Sequence, residues 1–200
     1  MEIKYLVTGP ISVNTYVVIN DDQCIVIDPG GNYHAIMDIV GDRKVSAVLL
    51  THGHFDHIGA ADSFSEQGID IYIHIDDREK LTSQRRLAMR YGIKINEINN
   101  IKQLKGGENL NLAGLTIKAI HTPGHSKGSV IYIIGDNIFS GDTLFSKSYG
   151  RTDLFDGDFE ELKHSIINII FNLKEEYTVF PGHEEFTTLS YEKENNPILL

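Results

Sequence analysis

Short apolar runs separated by turn residues fill the first part of the chain. Residues 3–7 read as a strand ended by Gly9-Pro10. Residues 14–19 and 24–27 read as two more strands, around the turn signal Asn20-Asp21-Asp22. Asp28-Pro29-Gly30-Gly31 breaks the third, and a helix is predicted from about residue 33 to 40. Residues 45–50, continuously apolar apart from Ser46, read as a buried strand, and a helix is predicted to begin at Ile58. A short strand over 69–73 and a charged helical segment over 76–91 follow, then a stretch, 93–104, with no usable period. Two hairpins are predicted beyond it. One spans 110–121 around Ala113-Gly114, and the other joins 129–134 to 137–140 around Gly135-Asp136. Asp158 followed by Glu161 has the form of a capping box. The helix it opens is predicted to reach about residue 174, with Leu162, Ile166, Ile169 and Ile170 on one face. Residues 177–180 form the last predicted strand. β runs at both ends, each followed by helices, imply two sheets with helices outside. No repeat or linker divides the chain, so one domain over 1–200 is expected.

The chemistry lies in the turns between these elements. Thr51-His52-Gly53-His54-Phe55-Asp56-His57 follows the strand over 45–50 and gathers three imidazoles and a carboxylate. In extended backbone, side chains two apart point to the same side, so His52 and His54 can reach one ion. Asp56 and His57 lie where the loop must turn, and can face a second. Imidazole and carboxylate suit Zn, Fe or Mn. A solvated polar loop is the plainer reading, but it does not call for so many ligand types in so short a run. Three later turns echo the motif, with His125, Asp142 and His183 each directly after a glycine beside a predicted strand. Together they make seven ligand candidates, enough for two ions sharing one carboxylate.

Composition narrows the function. The chain has 200 residues, 41% hydrophobic and 23% charged, which allows a sizeable core. A formal net charge of -10 argues against a nucleic-acid partner. The N-terminus lacks the basic-then-apolar run of a signal peptide, and no apolar stretch approaches the ~20 residues of a membrane span. The one cysteine, Cys24, rules out an intrachain disulfide and sits in an apolar run as a core residue. A cytoplasmic protein, with no membrane association, is expected. Asp28 has two readings, a turn cap or a support for the metal loop.

The His-x-His-x-Asp-His run, with the later His, Asp and His in order, resembles the metallo-β-lactamase superfamily, and within it the glyoxalase II-like group (hydroxyacylglutathione hydrolase-like, short form). The resemblance extends from Asn14 to about Glu184. It implies a four-layer αββα sandwich, an α/β fold with the site at one edge. It also implies that His52, His54 and His125 bind one metal, that Asp56, His57 and His183 bind another, and that Asp142 bridges. Asp28 then matches the residue that supports the site from behind. The expected activity is hydrolysis of a small-molecule thioester, S-acylglutathione or related, by a hydroxide held between two divalent ions, Zn first and Fe or Mn next. Asp142 positions the ions, and Asp56 fixes the second and accepts a hydrogen bond. The alternative is a mononuclear iron persulfide dioxygenase using ligands of the His52, His125 and Asp142 type. Gly150-Arg151-Thr152-Asp153 matches a stretch in the shorter members and in those dioxygenases. Its Arg-Asp pair either holds a loop or meets substrate. Longer glyoxalase II enzymes carry a basic helical C-terminal region that holds glutathione, whereas 17 residues follow His183 here. Lys147, Tyr149 and Arg151 are the substrate contacts expected to remain.

Overall fold

The computed structural model describes residues 1–174 and 176–200. The first sheet is built from β1 (Glu2–Thr8), β2 (Val13–Asn20), β3 (Gln23–Ile27), β4 (Lys44–Leu49), β5 (Ile71–His74) and β6 (Ile101–Leu104), in that order across the sheet. The β1–β3 meander is antiparallel; β3 through β6 run parallel. Helices α1 (Tyr33–Val40) and α2 (Ala61–Glu66) follow β3 and β4. The second sheet takes β7 (Asn109–Leu112), β8 (Leu115–His121), β9 (Val130–Ile134), β10 (Asn137–Gly141) and, later in the chain, β13 (Thr178–Pro181) and β14 (Thr187–Thr188).

The period-two alternation of the strands produces the layering. Val17, Ile19, Val26 and Ile71 point to the helix side and pack with Ile36, Val40 and Phe64. Their neighbours Tyr16, Val18, Ile25 and Ile27 point the other way, onto Ala119, Val130, Tyr132 and Phe139 of the second sheet. The outer face of that sheet, Ile131, Ile133 and Ile138, packs under Leu162, Ile166 and Ile170. The result is helix, sheet, sheet, helix, an αββα sandwich.

Several elements depart from the sequence reading. Residues 76–91 are not one helix. A 3-10 turn (Ile75–Asp77) precedes α3 (Lys80–Ser83) and α4 (Arg85–Arg90), because Asp77 and Lys80 turn inward to bind other loops. The unplaced stretch 93–104 ends in β6. A small hairpin, β11 (Leu144–Phe145) with β12 (Ser148–Tyr149), was not foreseen. Asp158 does cap α5 (Phe159–His164), its Oδ1 accepting from the Glu161 N–H at 3.0 Å. The helix then widens to π geometry over Ser165–Ile170, with Phe171 N–H bonding Ile166 O at 2.8 Å. That extra residue per turn keeps Ile170 in the core and leaves Ile169 only half-buried, against expectation. Beyond β13 (Thr178–Pro181) come β14 (Thr187–Thr188) and α6 (Leu189–Asn195), neither foreseen. Buried Glu192 of α6 accepts from Lys147 N at 3.1 Å and from Thr187 Oγ1 at 2.6 Å, so this segment braces the loop after β11.

Among the described residues, no helix is long and apolar enough to cross a membrane. The parallel pairs β3/β4 and β10/β13 leave the sheets in the same direction. Their C-terminal ends bring Asp28, residues 51–57, Asp142 and His183 to one edge, where open sheets place their sites.

Candidate metal centre

Each candidate ligand is held by a local arrangement that its sequence explains. Asp28 directly follows β3 with φ +48°, a turn conformation that Asp tolerates better than a bulky residue does. Its Oδ1 accepts from Thr51 N at 2.8 Å, and its Oδ2 from Thr51 Oγ1 at 2.6 Å, which pins the start of the His-rich loop. Asn14 fixes the opposite loop: its side chain donates to Pro181 O at 3.1 Å and to Glu184 O at 3.0 Å, and its N–H to Gly182 O. Gly182 permits the close approach there. A Cβ at that position would collide with Asp142 Oδ1 and the His57 ring.

All seven side chains converge. His125 Nε2 lies 3.2 Å from His52 Nε2 and 2.9 Å from His54 Nδ1. A second triad faces it: Asp56 Oδ2 is 3.7 Å from His57 Nε2 and 3.4 Å from His183 Nε2. Asp142 stands between the two. Its Oδ1 is 3.3 Å from His57 Nε2, and its Oδ2 is 3.5 Å from His125 Nε2 and 3.6 Å from His183 Nε2. These atoms suit cations better than each other. Two ligands bound at ~2.1 Å to a tetrahedral ion sit roughly 3.4 Å apart, close to the spacings here. Of the atoms that face one another here, His57 Nε2 and Asp142 Oδ1 are buried without a hydrogen-bond partner, which is costly in a site built only of protein. The donor set of imidazole nitrogen and carboxylate oxygen fits two divalent ions.

Two of the ring nitrogens facing away from this centre are also engaged. His57 Nδ1 lies 2.9 Å from Asp28 Oδ2, and His125 Nδ1 lies 2.7 Å from Arg151 O. An Nδ1–H donated to each oxygen leaves Nε2 as the metal-facing lone pair. In the chain alone, burial pushes His52 well below the ordinary histidine range and, with the neighbouring His125, brings His54 down to about 4. Burial acts the same way on His57, but the carboxylates of Asp142, Asp28 and Asp56 outweigh it and hold that imidazole well above its ordinary value. For Asp142, burial favours the neutral acid. The adjacent His57, His125 and His183 reverse that and keep it a carboxylate well below the usual range.

One residue of the site has no signal in the sequence. Asp77 is completely buried and joins the two ligand loops. Its Oδ2 accepts from Gly53 N, between His52 and His54, at 2.8 Å, and from Ser126 Oγ, next to His125, at 2.8 Å. Its Oδ1 accepts from Gly128 N at 2.8 Å and from Lys80 Nζ at 2.6 Å. In the sequence it is the second acid of Asp76-Asp77, indistinguishable from a solvated pair.

Above the centre lies a cavity of about 890 Å³. Tyr149 and Arg151 line it, as do Asp56, His125, Asp142 and His183. Lys147 is placed elsewhere, its Nζ 5.7 Å over the Tyr191 ring. The Arg151 guanidinium is bound to Asp153 through Nε and Nη2, each at 2.7 Å. His74 and His121, away from the centre, stack at 4.1 Å with planes 11° apart, and His121 Nε2 engages Lys127 O.

Two sheets with helices outside, and a His/Asp cluster at their shared edge, define a metallo-hydrolase architecture. The profile of the metallo-beta-lactamase superfamily matches residues 8–183, and the chain belongs to that superfamily. It is 37% identical to a probable metallo-hydrolase, YqgX, of Bacillus subtilis (strain 168), over all of this chain and 98% of that one. It is 31% identical to hydroxyacylglutathione hydrolase GloC of Haemophilus influenzae (strain ATCC 51907 / DSM 11121 / KW20 / Rd), again over all of this chain and 98% of the other. Among solved structures, BLEG-1 B3 metallo-beta-lactamase superposes with a TM-score of 0.90 at 38% identity, covering 99% of both chains.

Proposed function

We propose that this chain hydrolyses small-molecule thioesters, S-acylglutathione or a related acyl thiol, with two divalent ions held by the converged cluster. The observation that carries the reading is the pair of triads with Asp142 between them. His52, His54 and His125 would hold one ion, Asp56, His57 and His183 the other, and Asp142 both. Zinc is the ion proposed, with iron or manganese next, since all three accept nitrogen and oxygen ligands. When bound, such ions supply Lewis acidity and a water whose pKa falls toward ~7.

The remaining work falls to the chain's own residues. Asp142 puts negative charge between two positions that would otherwise repel. Asp56 lines the cavity, where it can accept a hydrogen bond from the attacking water. Asp28 and the Arg151 carbonyl hold His57 and His125 in the required tautomer and orientation. Cys24 lies buried in the apolar core and takes no part as a nucleophile. A thiolate leaves readily, so no dedicated general acid is required. The relative named as a hydroxyacylglutathione hydrolase supports the thioester class.

The test is metal content together with a substrate panel. Zinc-loaded protein is expected to hold two ions per chain and to cleave thioesters under nitrogen. A single ion per chain, oxygen uptake by the iron form with a persulfide, and no thioester cleavage would replace this reading with the mononuclear dioxygenase. Cleavage of β-lactams in preference to every thioester would replace it with a lactamase.

A further inference from the structure

The mouth of the cavity is lined by large apolar side chains that the fold leaves in solvent. Phe155 is 75% exposed, Tyr91 50% and Ile11 38%, with Leu87 and Leu154 beside them. A folded chain gains nothing from such a cluster unless something covers it. The placement is also held at a cost. Phe155 has φ +43°, a conformation poorly suited to a bulky residue, and non-glycine residues kept there gather at functional sites. Its neighbour Asp156 is anchored, accepting from Lys80 Nζ at 2.7 Å and from Lys127 N at 3.1 Å. The wall is continuous with the metal loop, because Tyr91 stacks on Phe55, between His54 and Asp56, at 4.8 Å and 26°.

The same cavity offers an anionic substrate little. Among the described residues lining it, Arg151 is the one lysine or arginine, and Asp153 already holds its guanidinium. Glu184 adds a carboxylate. A glutathione moiety buried here would lose water from its carboxylates without gaining cationic partners.

We infer that the pocket takes thioesters bearing an apolar arm, which Ile11, Leu87, Tyr91, Leu154 and Phe155 cover while the metal centre holds the carbonyl. This rests on the thioester reading above and specifies its substrate class. Covering an aliphatic arm contributes the transfer free energy of each methylene, roughly a fourfold gain in affinity per fully covered group. The gain is the same in ground and transition states, so it falls on KM rather than kcat.

The experiment uses the full-length, metal-loaded protein and two substrate series. One varies the acyl group from acetyl to octanoyl on N-acetylcysteamine; the other varies an alkyl thiol on a fixed acetyl group. Matched glutathione esters serve as the anionic comparison. In at least one series kcat/KM is expected to climb at least ~30-fold from the shortest to the six-carbon arm, mainly through KM. Phe155→Ser and Tyr91→Ser are each expected to flatten that slope. Flat series, or a tenfold preference for glutathione esters over neutral ones of equal acyl length, would overturn the inference. Binding of a non-hydrolysable S-hexyl against S-methyl thioether, by calorimetry, tests the wall without the chemistry. If no thioester is cleaved, the proposed reaction fails, and the wall stands or falls on whether the hexyl compound binds more tightly and loses that advantage in Phe155→Ser. Phe155 is surface-exposed, and thermal melting of each variant checks that the fold is intact.

Discussion

The floor and the rim of the cavity are built on opposite principles. At the floor the side chains are buried, apart from the partly buried Asp142 and His183, and the orienting ring nitrogens of His57 and His125 face fixed oxygens. Its groups are ionic or metal-seeking, and several atoms have no protein partner at all. At the rim the side chains are apolar, partly exposed, and carried by α4 and by the loops around residues 11 and 154. A floor of this kind decides which bond can break. A rim of this kind decides which molecule is brought to it. Changes at the floor should therefore lower turnover for every substrate and disturb metal content, whereas changes at the rim should reorder substrates and leave metal content alone.

The largest effect should come from the centre of the floor. Asp142→Asn keeps the shape but removes the charge lying between the two triads. Turnover is expected to fall at least ~100-fold for all thioesters, the scale of removing a key electrostatic group, with at least one ion lost by elemental analysis. Full activity at two ions per chain would mean that the two triads do not share this carboxylate, and the comparison would fail at its base.

The next effect belongs to Asp77, which touches no candidate ligand side chain. Asp77→Asn presents at most one acceptor oxygen to four donors, and leaves Lys80 with Asp156 alone. Breaking one side of a buried ion pair costs about 3–5 kcal/mol. A drop in melting temperature should therefore accompany a fall in turnover of roughly 30-fold, within the range for residues that orient metal ligands. The positioning role is read from metal content: the His52, His54 and His125 site should load more weakly, and Asp77→Glu should restore more than the amide does. A lower melting temperature with unaltered metal affinity would reduce Asp77 to a structural brace. Asp28→Asn should be milder, about tenfold in metal affinity, and largest on the His57 side, because His57 is the one ligand ring that Asp28 meets directly; titration with a metal-competing chelator measures it.

The two regions also differ in how far the sequence reveals them. The floor is legible because metal-binding residues are chemically distinctive and occur in one dense run plus three glycine-turn echoes. The convergence of all seven could be anticipated without coordinates, and so could two sheets, since short apolar runs bounded by turn residues mark β2, β3 and β9. The rim is illegible because it consists of ordinary leucines, isoleucines and aromatics whose exposure only the fold decides. Tyr91 looked like the end of a charged helix, and nothing in the sequence singles out Phe155. Asp77 and the broken helix around it were hidden for a related reason: a side chain that bonds to distant backbone N–H groups leaves no periodic trace. The π segment over Ser165–Ile170 misled in a similar way, because the widened turn keeps Ile170 in the core but leaves Ile169, expected on the same face, half-buried.

The smallest effect should come from a residue that belongs to both regions. Arg151 contributes to the floor through its backbone, whose carbonyl lies 2.7 Å from His125 Nδ1. Its side chain belongs to the rim, where it was expected to meet anionic substrates. The structure pairs that guanidinium with Asp153 in a fork of two bonds, and the attraction of Asp153 raises the arginine's pKa further while holding the aspartate down at about 2. Both groups are therefore charged throughout the neutral range, and they largely cancel as seen from the cavity. Arg151→Ala removes the side chain and keeps the carbonyl. Metal content should not change, kcat/KM for neutral thioesters should stay within about twofold, and the loss for glutathione esters should stay within about threefold, the modest scale of an exposed ion pair. Steady-state kinetics on matched neutral and glutathione esters, with elemental analysis of the same preparations, measures all three. A selective tenfold loss on the anionic esters would show that Arg151 leaves Asp153 for the substrate, and the rim would then be partly cationic in use.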